Sequence, residues 1–231
     1  MNFAVAKEDR AFYAMNGWVE FESLLEEKEL EKINLEIDRI LCERLKLSDR
    51  FLYRAQPEEI FLQGHDLWRE SDILRDLCCK RAYAKIAADL FRVQQIRLGA
   101  DQLFPGGWKS AAPDTILPGP TLLDNSSFQQ VTGGLLFCLR GGYSLSREKN
   151  SSPITPYPSV AGNAIFFPGN IPINLSTELR DKQDRYLMVV YTPQKTLYVK
   201  REQDLQNHTL KYIGYTFGDH LDNERHPIIL K

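Results

Sequence analysis

The chain changes character after residue 93, and this change is the feature that most constrains its fold. Before it, apolar residues recur at helical spacing. In "SLLEEKELEKINLEIDRILCERLK", Ser23 and Glu26 stand at capping-box spacing, and the apolar residues from Leu30 to Leu45 share one helical face. The stretch "SDILRDLCCKRAYAKIAADLF" has the same spacing and predicts a helix over residues 71–91. The first 93 residues are therefore predicted to be mostly helical.

The rest of the chain alternates short apolar runs with stretches rich in Gly, Pro and Ser. The runs have the composition of β-strands and are "VQQIRLGA", "TLLDNSSFQQV", "GLLFCLRGG", "NAIFFPGN", "RYLMVVYTP" and "TLYVK". Helices followed by strands favour an α+β fold in which a helical layer packs on a β-sandwich or barrel. We expect a single domain over residues 1–231, with a helical buttress at 1–93, a strand core at 94–200 and a C-terminal extension at 201–231.

Charge and cysteine usage limit the location and the partners. The formal net charge is -2, and phosphate binding needs a basic excess, so nucleic acid is a disfavoured partner. The chain starts with charges from Lys7 to Arg10 and has no long apolar run, so we expect no secretory leader and no membrane partner. The four cysteines, including the adjacent Cys78 and Cys79, lack metal-binding spacing. We predict a cytoplasmic protein with reduced thiols.

Three segments are similar to parts of a known enzyme family. "FYAMNGWVEFESLLEEKELEKI" resembles its opening, "IRLGADQLFPGG" its first core strand and the following loop, and "GNAIFFPGNIPINLSTELRDKQDRYLMVVYTP" its closing pair of core strands. The family is the phytanoyl-CoA dioxygenase-like branch of the Fe(II)/2-oxoglutarate-dependent oxygenases, and the likeness spans most of residues 7–193. It implies a double-stranded β-helix, or jelly roll, over residues 94–200, buttressed by the N-terminal helices.

The resemblance implies an iron centre, but this sequence lacks the expected ligands. In the family, two histidines and one carboxylate hold Fe(II), and the open positions take 2-oxoglutarate and oxygen. The histidines of this chain are His65, His208, His220 and His226. None lies within residues 66–207. Where the resemblance places H-x-D, only Asp114 and Asp124 remain, and the later histidine is replaced by Asn174, whose amide oxygen is a weak neutral donor. We therefore predict no catalytic residue and no metal ligand.

One binding position of the family is filled. Arg185 follows Asn174 by eleven residues and stands where the resemblance places the arginine that pairs with the far carboxylate of 2-oxoglutarate. A guanidinium is able to form two parallel hydrogen bonds to a carboxylate. The resemblance leads us to expect Asn174, Ser176 and Asn125 around the same pocket. The alternative is an arginine that opens a strand and pairs with an acid such as Asp184.

The remaining histidines offer a weaker signal. "DHLDNERH" contains His220-Leu221-Asp222 and ends at His226, but it lies beyond the last predicted core strand. We expect this segment to be a solvated tail, with a metal site as the alternative. His65, at a predicted helix start, is expected to be structural.

These observations predict an oxygenase-fold protein that has lost iron-dependent catalysis and binds a small carboxylate or a protein partner. Whether the chain is an enzyme stays open, although the missing ligands favour a pseudoenzyme. No cofactor is expected, and an active form would need Fe(II) and 2-oxoglutarate. The alternatives are an active dioxygenase with atypical ligands and a metal-responsive regulatory protein.

Overall fold

The protein combines an N-terminal helical layer with one antiparallel sheet. The computed structural model describes residues 5–108, 121–141, 157–158, 160–172, 179, 181–202, 204 and 206–231. Its α-helices are α1 (Lys7–Asn16), α2 (Glu27–Leu45), α3 (Asp49–Leu52), α4 (Pro57–Gln63), α5 (Asp72–Cys78), α6 (Arg81–Phe91) and α7 (Thr209–Tyr212). Its strands are β1 (Val19–Phe21), β2 (Ile96–Pro105), β3 (Gly133–Arg140), β4 (Ala164–Pro168), β5 (Arg185–Thr192) and β6 (Ile228–Leu230). The predicted helical start followed by strands is confirmed. No helix in the described part of the chain is long and apolar enough to cross a bilayer.

The sheet has two buried faces. Its strand order is β1–β4–β3–β5–β2–β6, and each neighbouring pair is antiparallel. Successive side chains of a strand point to opposite faces. On β5 the side chains that join the helix-facing core are Leu187, Val189 and Tyr191. Those that join the core of the inner face are Tyr186, Met188 and Val190. Burial on both faces explains why β5 reads as a continuous apolar run.

Helix α2 packs its predicted apolar face on the sheet, but it begins later than its sequence indicates. Ile37, Ile40 and Leu41 are fully buried, as the helical spacing predicts. The predicted cap at Ser23 is wrong, because Ser23 has a φ of 52° and its N–H donates to Asn163 Oδ1 at 3.0 Å. This bond ties the preceding segment to the start of β4. The helix is instead preceded by Glu26, whose N–H donates to the Glu29 carboxylate.

The predicted helix over residues 71–91 is two helices. Helix α5 ends at Cys78 and α6 begins at Arg81, because Lys80 adopts an extended backbone with ψ 111°. The Lys80 ammonium lies 3.5 Å from Glu29 Oε1 and donates to the Tyr83 hydroxyl, which places the corner against α2. Cys78 is buried, Cys79 is half-buried, and all four cysteines are free.

The side opposite the helices differs from the predicted strand pattern. Residues 121–131 and 196–200, both predicted as strands, are irregular segments joined by isolated bridges such as Phe128–Tyr198. A jelly roll has two facing sheets, whereas the described residues contain one six-stranded sheet faced by these bridged segments. The α+β class is confirmed, and the double-stranded β-helix stays an expectation of the resemblance.

The C-terminal segment packs against the sheet, so the prediction of a solvated tail is wrong. β6 pairs with β2, and His226 is fully buried. Arg69 Nη2 lies 2.8 Å from His226 Nε2, and the Tyr215 hydroxyl lies 3.0 Å from Nδ1. Since an arginine only donates, Nε2 accepts and the ring proton resides on Nδ1. The buried Arg97 donates to the carbonyl oxygen of His226 and fixes the same turn. The fold holds this imidazole neutral.

We expect His226→Gln to remove an acid-sensitive part of the free energy of unfolding. Burial, assisted by Arg69, lowers the pKa of His226 from 6.5 to about 3. Below about pH 6.5 the unfolded chain therefore binds a proton at this side chain, whereas the folded chain does so only near pH 3. Between these two pH values the free energy of unfolding decreases by about 1.4 kcal/mol for each pH unit. Glutamine keeps an acceptor and a donor but does not titrate. Urea unfolding should show the variant gaining about 2 kcal/mol relative to wild type between pH 7 and pH 5. A constant difference between the two proteins would contradict a neutral, buried His226.

Candidate functional site

The inner face of the sheet borders a small cavity of about 60 Å³, which we call the inner cavity. Its apolar lining includes Ala100, Phe104, Leu122, Met188 and Val190. Its polar lining includes His65, Gln102, Asn125, Ser127 and Asp204. Pockets for small molecules usually measure about 300–1,000 Å³. A space of this size holds about two water molecules, so the inner face is a nearly filled core with a few polar groups at its edge.

The amides of the inner cavity are engaged in holding the backbone. Gln102 Nε2 donates to the carbonyl oxygens of Phe61 and Leu103 at 2.8 and 2.9 Å. Asn125 Nδ2 donates to the Thr121 carbonyl at 2.9 Å and closes a turn. Because buried amides need such partners, these contacts explain both side chains as structural supports of the segments around β2.

Asp204 is the carboxylate of the inner cavity. Its Oδ2 accepts from the Ser127 hydroxyl at 2.6 Å, and its Oδ1 accepts from the Gln206 N–H at 2.9 Å. Burial raises the pKa of Asp204, while the Ser127 hydrogen bond and the nearby His65 act in the opposite direction. Both oxygens thus already stabilise the turn that carries them.

His65 reaches the cavity through a close backbone contact with β2. The Leu103 N–H donates to the Gly64 carbonyl at 2.7 Å, and His65 forms an isolated bridge with Gln102. A Cβ at Gly64 would stand 2.6 Å from the Leu103 Cβ, so glycine permits this approach. The imidazole Nε2 lies 3.9 Å from Asp66 Oδ1. His65 is therefore positioned beside the cavity by a backbone contact, which its place in the sequence did not indicate.

The described donor set does not fit an iron centre with two imidazoles and a carboxylate. All four histidines lie in the described part of the chain, and His65 is the one that lines the inner cavity. His208 contacts Phe217, His220 bridges Leu197, and His226 is bound to Arg69 and Tyr215. Within the described ranges, no three His, Cys, Asp or Glu side chains gather in one place. One imidazole and one engaged carboxylate would leave such a metal ion without a second imidazole.

The larger space lies on the helix-facing side, between α2, α3 and α4 and the ends of β2, β3 and β5. We call it the helix–sheet cleft, and its volume is about 910 Å³. Arg185, the first residue of β5, lines this cleft. Its Nη2 donates to Asp38 Oδ1 at 2.6 Å, and its Nη1 donates to Asn34 Oδ1 at 3.2 Å. The Asn34 amide donates in turn to the Leu139 carbonyl. Arg185 thus links α2 to the sheet.

The electrostatics at Arg185 are unusual for paired strands. Arg140 is its direct cross-strand partner, and like charges at such positions repel. Burial lowers the pKa of Arg185, Asp38 raises it, and the charge of Arg140 lowers it further. Asp38 therefore compensates one guanidinium of the pair and leaves the other for solvent or for a ligand.

The predicted site residues do not share one pocket. Arg185 lines the helix–sheet cleft and Asn125 lines the inner cavity, on the opposite face of the sheet. Asn174 and Ser176 lie outside the described residues. The predicted alternative, an arginine that opens a strand and pairs with an acid, matches the observed contact, although the acid is Asp38 rather than Asp184.

Asn34 and Asp38 were missed in the sequence analysis. They stand one helical turn apart on α2, next to the apolar stripe, where a polar side chain needs a partner when buried. The one-turn spacing of these two polar residues beside the apolar stripe was the signal available in the sequence. It could not identify Arg185 as the partner, because the two elements are about 150 residues apart in sequence, as the Asn34–Arg185 bond shows with a separation of 151.

The chain is similar in fold to several solved structures, among them two non-heme, alpha-ketoglutarate-dependent enzymes. SnoK, a carbocyclase of this class from nogalamycin biosynthesis, matches with a TM-score of 0.63 and 16% identity, over 96% of this chain and 96% of SnoK. The epimerase SnoN from the same biosynthesis, in complex with Fe3+, alpha ketoglutarate and nogalamycin RO, matches with a TM-score of 0.63 and 16% identity, over 96% of this chain and 98% of SnoN.

A third structure with this arrangement is CT296 from Chlamydia trachomatis, with a TM-score of 0.51 and 15% identity, over 84% of this chain and 99% of CT296. No family model and no curated protein sequence matches the chain. Identities this low establish a common fold and leave the function to be argued from the site.

We expect Asp38→Ala to destabilise the fold by about 1–3 kcal/mol, because it leaves the Arg185 guanidinium without its carboxylate. The Arg185 side chain is 13% exposed and that of Asp38 is 30% exposed, so solvent replaces part of the lost interaction. The matched control is Asp72→Ala, which breaks the pair with Arg75 at side-chain exposures of 92% and 47%, and should cost less than about 0.5 kcal/mol. Urea unfolding at pH 7 measures both. Equal effects would show that Arg185 is not tied to α2 in solution.

Proposed function

We propose that this protein is an oxygenase-fold protein without iron-dependent catalysis, and that it acts by binding a partner. The observation that carries the proposal is the composition of the inner cavity. Among its described lining residues, the space where an enzyme of this fold would work offers one imidazole and one carboxylate that is already hydrogen-bonded, beside apolar side chains.

The size of the inner cavity supports the same proposal. A metal ion and an organic co-substrate require room and open coordination positions. A cavity of about 60 Å³ with Phe104, Met188 and Val190 on its walls offers little of either. Among its described lining residues there is no Lys or Arg that would receive the far carboxylate of 2-oxoglutarate.

Of the two ligand classes left open by the sequence, the geometry favours a protein partner over a small carboxylate. Arg185 was the group expected to bind the carboxylate. Its Nη2 is engaged by Asp38 and its Nη1 by Asn34. A small carboxylate would have to displace an intramolecular carboxylate to use these donors, and this exchange brings little net gain. The helix–sheet cleft, with a volume of about 910 Å³, is large enough for side chains of another protein.

We propose a cytoplasmic location for this binding function. The support is that none of the four cysteines forms a disulfide, as is usual for proteins of reducing compartments.

Titration of the untagged, reduced protein with Fe(II) under nitrogen, and with Co(II), should show no stoichiometric binding in the micromolar range. Incubation with Fe(II), 2-oxoglutarate and oxygen should form no succinate above the rate of a protein-free control. The physical reason is that a metal ion in the inner cavity would have His65 as its single imidazole ligand. Isothermal calorimetry and chromatography of succinate are the two measurements.

Variants distinguish a site in the inner cavity from adventitious binding. Binding that disappears in both His65→Ala and Asp204→Asn, but persists in His220→Ala, would overturn the proposal in favour of an oxygenase with atypical ligands. Binding that disappears in His220→Ala alone would point to the C-terminal segment and to a metal-responsive protein.

A further inference from the structure

We propose that the helix–sheet cleft binds an acidic, partly apolar segment of a partner protein. This inference rests on the proposed function and deepens it by naming the surface and the chemistry of the partner. Three features of the cleft support it: a surplus of cations, an exposed wall of aromatic and arginine side chains, and a volume suited to a peptide.

The cation surplus follows from the ion pairs of the described residues. The cleft is lined by Arg39, Arg54, Arg140, Lys182 and Arg185, and by Asp38, Glu43, Asp49 and Asp184. Two of the acids form ion pairs, Asp38 with Arg185 and Glu43 with Arg39. Asp49 accepts from the neutral Cys42 thiol and keeps its charge, and Asp184 has an interaction of its own, so the five cations of the lining exceed its four acids by one.

Three of these cations, Arg54, Arg140 and Lys182, form no ion pair within the described residues. The cross-strand pair of Arg140 and Arg185 is the strongest of these signals. Two guanidinium groups on adjacent strands repel one another, and Asp38 compensates only one of them. A carboxylate placed between Arg140 and Lys182 would relieve this repulsion. The exposure of both side chains makes them accessible to a ligand from solvent.

The opposite wall has the composition of a binding hot spot. Tyr53, which lines the cleft, is 63% exposed, and Phe51, which lies next to that lining without belonging to it, is 51% exposed. The Arg54 guanidinium carbon lies 5.4 Å from the centre of the Tyr53 ring and 5.8 Å from that of Phe51. Leu35, on α2, adds a side chain that is 71% exposed. Tyr and Arg are enriched where binding energy concentrates, because they combine apolar area with a polar end.

The occupant that matches both walls is a peptide with acidic residues beside apolar ones. An inorganic anion would meet the cations but would leave Leu35 and Tyr53 exposed. An apolar peptide would cover those two side chains but would leave Arg140 and Lys182 without partners. A cleft of about 910 Å³ lies within the size range of ligand sites and accommodates a few side chains of an extended segment.

The test is a peptide-display selection on the full chain, using a random library of twelve-residue peptides. We expect the selected peptides to be enriched in Asp and Glu next to Leu, Phe or Tyr. Synthetic versions should bind in fluorescence anisotropy, and the affinity should weaken as salt rises. Arg140→Glu should reduce the affinity about tenfold or more. Tyr53→Ala should reduce it without changing its salt dependence. The matched control, Arg81→Glu, exchanges an exposed arginine of α6 outside the cleft and should leave binding unchanged.

Thermal melts of each variant establish that it is folded before its affinity is compared. Selected peptides that are neutral or basic, or acidic peptides that bind Arg140→Glu as tightly as wild type, would overturn the proposal. A molar mass in light scattering that doubles with concentration and falls in Arg140→Glu would identify a second copy of this chain as the occupant and would also overturn it. None of these results bears on Fe(II) binding, so a failure of this inference can be distinguished from a failure of the proposed function.

Discussion

The alternation of side chains along β5 is the constraint on which the rest of the molecule depends. Arg185 and Tyr186 are neighbours in sequence, but the strand places one on the helix-facing side and the other in the inner core. The charged group therefore contacts α2, and the aromatic ring packs in the inner core. The Tyr186 hydroxyl donates to the Pro158 carbonyl and is fully buried. A shift of one residue would exchange these roles, and the packing of both faces prevents it.

Polar side chains lie on both faces of the sheet, and they have different roles on each face. On the inner face, Gln102 and Asp204 hold turns and bridged segments in place, and the remaining space is small. On the helix-facing side, a bonded chain from Leu139 through Asn34 to Arg185 joins helix and sheet next to an open cleft. Buried polar groups are stable only when they are paired. The inner groups are paired within the chain, whereas the cleft retains cations for which the described residues provide no counter-ion. The helix–sheet cleft is therefore a better candidate than the inner cavity for binding a partner.

Much of the fold was predictable from the sequence, because its periodicities are strong and local. Helix α2 and the strands β2 to β5 follow the expected apolar patterns. The corner at Lys80 was not predictable, since it depends on contacts with Glu29 and Tyr83 rather than on a breaking residue. The burial of the C-terminal segment was not predictable, because the segment is polar and its His226 is hydrogen-bonded to Arg69, a residue 157 positions away. Long-range polar pairing leaves no periodic signal in a sequence.

The candidate site was less predictable from the sequence than the fold. The shortage of imidazoles within residues 66–207 could be counted from the sequence, but the position of His65 beside the inner cavity could not be predicted, because folding brings it there from outside this range. The face on which Arg185 lies could not be inferred, because the spacing from Asn174 says nothing about strand register. Diffraction from crystals grown with Mn(II) and 2-oxoglutarate, measured for the anomalous signal of manganese, is the most direct test of the account. We expect no manganese peak in the inner cavity beside His65 and Asp204. A peak there, bound by protein side chains and by 2-oxoglutarate, would contradict it.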